Sequence, residues 1–155
     1  MIKRTKYLKR SPIKRTALKR KPRKKRAGDD PDFKAWLAQW PCFICLLLDC
    51  TNAGSGATVF NAIVGSPEMR RLASRRLSRV SGETQVAHIG LRGIGQKCPD
   101  RQAMPLCAIH HLHQTAGGGP DSHHTIGRAF WSRHGIDRDN VIAILNELYR
   151  KETGK

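Results

Sequence analysis

Cys107, His110 and His111 fall within five consecutive positions, in the run PLCAIHH, of a chain that has seven histidines and five cysteines. A cysteine followed three residues later by a histidine can present a thiolate and an imidazole to one metal ion. A second such knuckle, Cys42-Phe-Ile-Cys45, lies upstream. Three sulfurs and one nitrogen suit tetrahedral zinc, and four protein ligands close the coordination sphere, which is the pattern of a structural site. The 61 residues between Cys45 and Cys107 are tolerable because loop-closure cost grows only logarithmically with length. Cys50 or Cys98 could replace one ligand, and a buried free thiol is the alternative for each. Neighbouring histidines on a helix diverge by about 100°, so His111 must serve a different space from His110. It can face a strand that ends at His88. His113 lies about 200° around the same helix from His111 and is expected to face water.

These side chains need elements to position them. Asp30 reads as an N-cap and Pro31 as the first helical residue of a short helix whose apolar face is Phe33, Trp36, Leu37 and Trp40. The following LLLDCTNAGSGATVF carries no clear periodicity and stays unassigned. Ser66-Pro67-Glu68 opens a helix over about 67–79 that carries Arg70, Arg71, Arg75, Arg76 and Arg79, with Met69, Leu72 and Leu77 available for packing. Residues 84–89, TQVAHI, read as a strand, GLRGIGQKCPD as a glycine-rich loop, and RQAMPL as a returning strand stopped by Pro105. A short histidine-bearing helix follows Cys107, and AGGGPD ends it. Two more helices are expected at about 122–133 and 138–151, the second with Val141, Ile142, Leu145 and Leu148 as core.

Charge divides the chain in two. The 155 residues carry a net charge of +17, of which residues 1–26 supply +14 with no acid, leaving +3 for all the rest. Dense like charge, few large apolar residues and prolines at 12 and 22 predict a disordered tail over 1–28, followed by one domain over 29–155. Lys-Arg pairs recur at residues 3, 9, 14 and 19. A nucleic-acid phosphate backbone is the natural partner, bound through counterion release. Candidate contacts are Lys14, Arg15, Lys19, Arg20, Lys21, Arg23, Lys24, Lys25 and Arg26 in the tail, with Arg75 and Lys97 in the body. No apolar segment follows the charges as in a secretory signal, and none spans a bilayer. An odd cysteine count without an export signal favours metal binding in a reducing, cytoplasmic setting over disulfides.

VAHI at 86–89 followed by KCPDRQAMPLCAIHH at 97–111 resembles the ββα-metal core of HNH endonucleases. The nearest subgroup is the small phage and prophage nucleases of the recombination-enhancement (Ref-like) type, which share a basic N-terminus, a Pro-Cys-x2-Cys knuckle and the PLC-x2-HH run. The likeness covers roughly 41–45 and 84–130, with an insert at about 46–82. It implies an α+β fold: a small zinc-stabilised core with flanking helices. It also implies metal-dependent hydrolysis of DNA phosphodiester bonds, with a recombinase or another DNA-processing protein as a possible partner. By position His88 would be the general base and His111 a ligand of a catalytic Mg2+ or Mn2+, while zinc at Cys42, Cys45, Cys107 and His110 would hold the halves in register. The residue before the base, often a metal ligand in this family, is here Ala87. The family's middle Asn aligns with Gln102, and either Gln102 or Asp100 could orient His88. A second cation ligand would come from His124, in Ser122-x-His124, or from Asp100, which leaves His123, His113 and His134 as surface histidines.

Two other readings compete. A non-catalytic zinc-stabilised nucleic-acid-binding protein explains the tail and the knuckles but not His88, His111 and His124. A basic RNA-associated protein should be richer in stacking aromatics than nine in 155 residues. Deleting residues 1–26 is expected to weaken DNA binding and flatten its salt dependence while leaving the thermal unfolding of the remainder unchanged. Binding titrations at several salt concentrations check this, and an unchanged affinity removes the arm's role.

Overall fold

The computed structural model describes residues 26–52, 54, 56–90 and 98–154. Residues 1–25 of the expected disordered tail, with its contacts from Lys14 to Lys25, and Lys97 with most of the glycine-rich loop lie outside the described residues. The architecture is α+β, mostly helical, with one small sheet.

Helix α1 spans Pro31–Leu37. The Asp30 carboxylate accepts from the Phe33 amide at 3.0 Å, and the proline in the first turn loses only an amide that would be unpaired anyway. Phe33 and Leu37 are fully buried, one helical turn apart. They meet the C-terminal helix α8, Arg138–Thr153, whose Val141, Leu145 and Tyr149 repeat every four residues on the buried side. Phe33 and Trp36 both meet the Tyr149 ring edge-on at 5.3 Å.

The stretch without periodicity folds into two helices, α2 (Phe43–Asn52) and α3 (Gly56–Gly65). Both lack the acidic first turn and basic last turn that betray a helix in sequence. Burial stabilises them instead: Phe43, Ile44, Leu46 and Cys50 of α2 enter the core, and Phe43 stacks edge-on with Phe60 of α3 at 5.5 Å. Helix α4 spans Pro67–Ser81, capped by the Ser66 hydroxyl and ended at Gly82, whose φ of 77° a side chain would resist. Its packing face differs from the expected one. Arg70 and Ala73 are buried and Leu77 is half-buried, whereas Met69 and Leu72 are 43% and 60% exposed. The register follows from Arg70, which reaches inward to lie over the Trp40 ring, donates to the Val64 carbonyl and pairs with Glu152 of α8.

Strand β1, Thr84–His88, pairs antiparallel with β2, Ala103–Cys107, in the register Thr84 to Cys107 through His88 to Ala103. A turn of 3-10 helix at Asp100–Gln102 leads into β2. Pro105 does not stop this strand. The Ile89 amide donates to the Gln102 carbonyl, and counting from that bond puts Pro105 at a non-hydrogen-bonded position opposite Val86. Its missing amide therefore costs the ladder nothing. Helix α5, Ala108–His111, leaves the end of β2 directly. The single helix expected over 122–133 is two, α6 (His123–Ile126) and α7 (Ala129–Arg133), broken at Gly127 with φ 56°. Among the described residues no helix is long and apolar enough to cross a membrane.

Arg70→Ala is expected to destabilise the fold by about 3 kcal/mol by leaving Glu152 without its cation and Trp40 without its cover. Leu72→Ala should change stability by less than about 0.5 kcal/mol. Urea unfolding of the two variants checks the inversion of the expected packing face.

Candidate metal centre and histidine cluster

Cys42 lies just before α2 and Cys45 in its first turn; Cys107 ends β2 and His110 sits on α5. Because α5 starts immediately after β2, positions 107 and 110 fall on one side of the same turn, and α2 brings the upstream knuckle onto them. The Cys45 and Cys107 sulfurs are 3.8 Å apart. His110 Nδ1 lies 3.5 Å from Cys42 Sγ, 3.5 Å from Cys45 Sγ and 3.2 Å from Cys107 Sγ. A tetrahedron with Zn–S bonds of about 2.3 Å and Zn–N of about 2.0 Å has edges of about 3.8 Å between sulfurs and about 3.5 Å from sulfur to nitrogen. The Cys45–Cys107 edge and the His110 edges to Cys42 and Cys45 match these lengths, the edge to Cys107 is slightly shorter, and all four ligand atoms lie within 4.8 Å of one another, so this group can hold a structural metal such as zinc. Among the described residues, no other His, Cys, Asp and Glu side chains bring three or more ligand atoms within 4.8 Å of one another.

The electrostatics of the bare cluster point the same way. Hydrogen bonding from Cys42 and Cys45 holds the Cys107 thiol far below the ordinary range, and the bond to Cys107 pushes Cys42 far above it. Burial opposes charge on His110, but its bonds to the Cys107 and Cys45 sulfurs outweigh that and raise its pKa to about 9. Three thiols this close cannot all ionise unless a cation stands among them. Cys50 and Cys98 take no part. Cys50 is buried on α2, and the Cys98 thiol donates to the Gln102 side-chain oxygen at 3.4 Å.

His111, one position on, turns to the other side of α5. Its Nδ1 lies 2.7 Å from Gln85 Oε1. An amide oxygen only accepts, so Nδ1 carries the proton and Nε2 keeps a free lone pair. The His124 ring stands 4.7 Å away, edge to face. Burial, then the nearby His124 and His88, lower the His111 pKa to about 4, so this imidazole is neutral across the physiological range.

His88 ends β1 with its Nε2 2.8 Å from Asp100 Oδ1. Asp100 is fully buried, and its other oxygen accepts from the Asp30 amide at 2.8 Å and pairs with Lys34 at 3.0 Å. Of the two residues that could orient His88, the geometry therefore uses Asp100. The Gln102 side chain faces Cys98 and Gly90, where even a single added methyl carbon would meet its oxygen at 1.9 Å. Its backbone carbonyl takes the amides of Ile89 and Gly90 and so fixes the chain just beyond His88. Ala87 is fully buried.

Two histidines expected at the surface are half-buried instead. The His134 ring lies 5.7 Å from His110, stacked edge-on, with its Nε2 3.4 Å from the Asp121 carbonyl. Burial lowers its pKa. His123 packs against Phe130 and Trp131 at 5.5 and 5.4 Å. His113 is exposed as expected, though not by helical rotation: α5 ends at His111, and His113 caps the following 3-10 turn at Gln114–Ala116. Arg26 and Arg75, among the expected nucleic-acid contacts, are exposed. Gln85, Lys34 and His134 carried no signal in the sequence; each acquires its place only through a partner more than 20 residues away in the chain.

Cobalt(II) added to the purified chain should give the absorption of a tetrahedral thiolate site, lost in Cys45→Ala and displaced by zinc. Affinity should fall as the pH is lowered, because thiolates and His110 take up protons that compete with the metal. Absorbance titrations at two pH values check both. Compared with protein-family models, curated proteins and solved structures, the chain finds no match.

Proposed function

We propose that the protein is a divalent-metal-dependent DNA endonuclease of the HNH type. The observation that carries this reading is His88 at the end of β1, its Nε2 2.8 Å from an oxygen of the fully buried Asp100 carboxylate. Donating Nε2–H to Asp100 leaves the His88 Nδ1 lone pair to take a proton from the attacking water. Asp100, held by Lys34 and the Asp30 amide, fixes the ring and stabilises the imidazolium that forms. Neutral His111, aligned by Gln85 and with His124 beside it, would bind Mg2+ or Mn2+. Such a cation would polarise the scissile phosphate and would neutralise charge on the leaving oxygen. The thiolate-rich centre has no open ligand position and serves only to hold α2 against α5. The basic tail would supply sequence-independent DNA affinity, in the recombination or DNA-processing setting that the sequence resemblance suggests.

A second reading, a non-catalytic zinc-stabilised nucleic-acid-binding protein, is favoured by one observation: His88, His111 and His124 do not close into a compact ligand set.

Nicking of plasmid DNA with Mg2+ or Mn2+ separates the two. His88→Ala should lower the rate by about 10²–10⁴-fold. Asp100→Asn should cost a comparable factor by favouring the wrong tautomer of His88. Gln85→Ala should weaken cation affinity by about 10–100-fold. Equal rates for wild type, His88→Ala and His111→Ala would sink the enzyme reading. A wild type that binds DNA but cleaves no form of it selects the second.

A further inference from the structure

The five arginines of α4 divide into two groups. Arg70 is buried against Trp40 and paired with Glu152, and Arg76 pairs with Asp49 of α2. Arg71, Arg75 and Arg79 are exposed, and among the described residues none of them enters an ion pair or a side-chain hydrogen bond. Spaced four apart, they form one stripe that runs about 12 Å along the helix. At 100° per residue, the stripe points almost directly away from the packed face of Arg70, Ala73 and Leu77. Glu68, in the first turn, is the only acid on the helix.

We propose that this stripe is a second contact surface for the phosphate backbone of duplex DNA, separate from the tail; the inference rests on the DNA-binding part of the reading above, not on catalysis. Like charges at i, i+4 destabilise a helix by about 0.2–0.5 kcal/mol per pair, and a polyanion relieves that repulsion. Duplex DNA carries about one charge per 1.7 Å of axis, so about seven phosphates span the length of the stripe. Arg79 is nine residues from His88, which bounds their separation at about 30 Å. One helical turn of duplex is about 34 Å, so a single turn can touch both the stripe and the histidines. The 46–82 segment, which has no part in the metal centre beyond Cys45's helix, thereby acquires a role: it holds α4 rigidly, with Arg70 and Arg76 as fasteners and the other three arginines facing out.

The test uses the full-length chain. R71Q/R75Q/R79Q is compared with wild type and with a control, R128Q/R150Q/K151Q, that removes equal charge elsewhere; circular dichroism confirms that both fold. The dependence of log affinity on log salt for a duplex oligonucleotide should fall by about 2–3 in the stripe variant, with at least about a tenfold loss of affinity near 0.1 M salt, and should change less in the control. An unchanged slope, or an equal change in the control, overturns the inference while leaving the nuclease reading in place. Tighter binding of wild type to polyglutamate than to duplex DNA overturns it in favour of an acidic protein partner. A wild type that binds no duplex DNA overturns both.

Discussion

The fold depends on one closure: Cys42 and Cys45 brought against Cys107 and His110 across 61 intervening residues. The described residues of that interval form most of α2, then α3, α4, β1, the 3-10 turn and all but the last residue of β2, and α2 itself packs on α3, α4 and β2. The sheet alone cannot fix this arrangement, since an isolated pair of strands is marginal in water. A metal held by these four side chains would bind the helical layer to the end of β2, and its binding free energy would become folding free energy. The ligand cluster and the apolar core of Leu46, Leu106 and Met104 lie on the same seam.

Helix α5 is four residues long and has two faces with different duties. His110 faces the sulfurs, and His111 faces Gln85 and His124. In the proposed reading the scaffold ion therefore sets the position of the reactive imidazole through one peptide bond. The arrangement is economical but unforgiving. A shift of one residue in α5 would exchange the two rings between a thiolate pocket and a polar one.

Asp100 plays the corresponding part in the turn that leads into β2. It lies at the junction of the α1 N-terminus, the turn before β2 and the end of β1, and is buried with Lys34, the Asp30 amide and His88 as partners. A carboxylate without water needs such partners, and the two from α1, the Asp30 amide and Lys34, tie that helix to His88. Arg101, next to it, extends the junction by pairing with Asp30 and lying over the Tyr149 ring at 4.4 Å. The residues that orient His88 and those that dock α1 on α8 are thus one network.

Local chemistry made much of this legible in the sequence alone. The caps at Asp30 and Ser66, a strand over TQVAH, the two knuckles and the 100° divergence of adjacent histidines follow short-range rules, and these elements stand in the structure, although burial along the strand does not alternate. What the sequence did not determine depends on partners distant in the chain. Helices α2 and α3 form because their apolar residues find a core. Pro105 is tolerated because its missing amide lies on the side of the strand that makes no ladder bond. Arg70 turns inward because Trp40 and Glu152 wait there, and that one contact rotates the whole of α4. Gln85 meets His111, and Asp100 rather than Gln102 takes His88, because the register of two strands sets which side chains share a space. Spacing along the chain can nominate the ligands, but only the folded seam decides which groups face them.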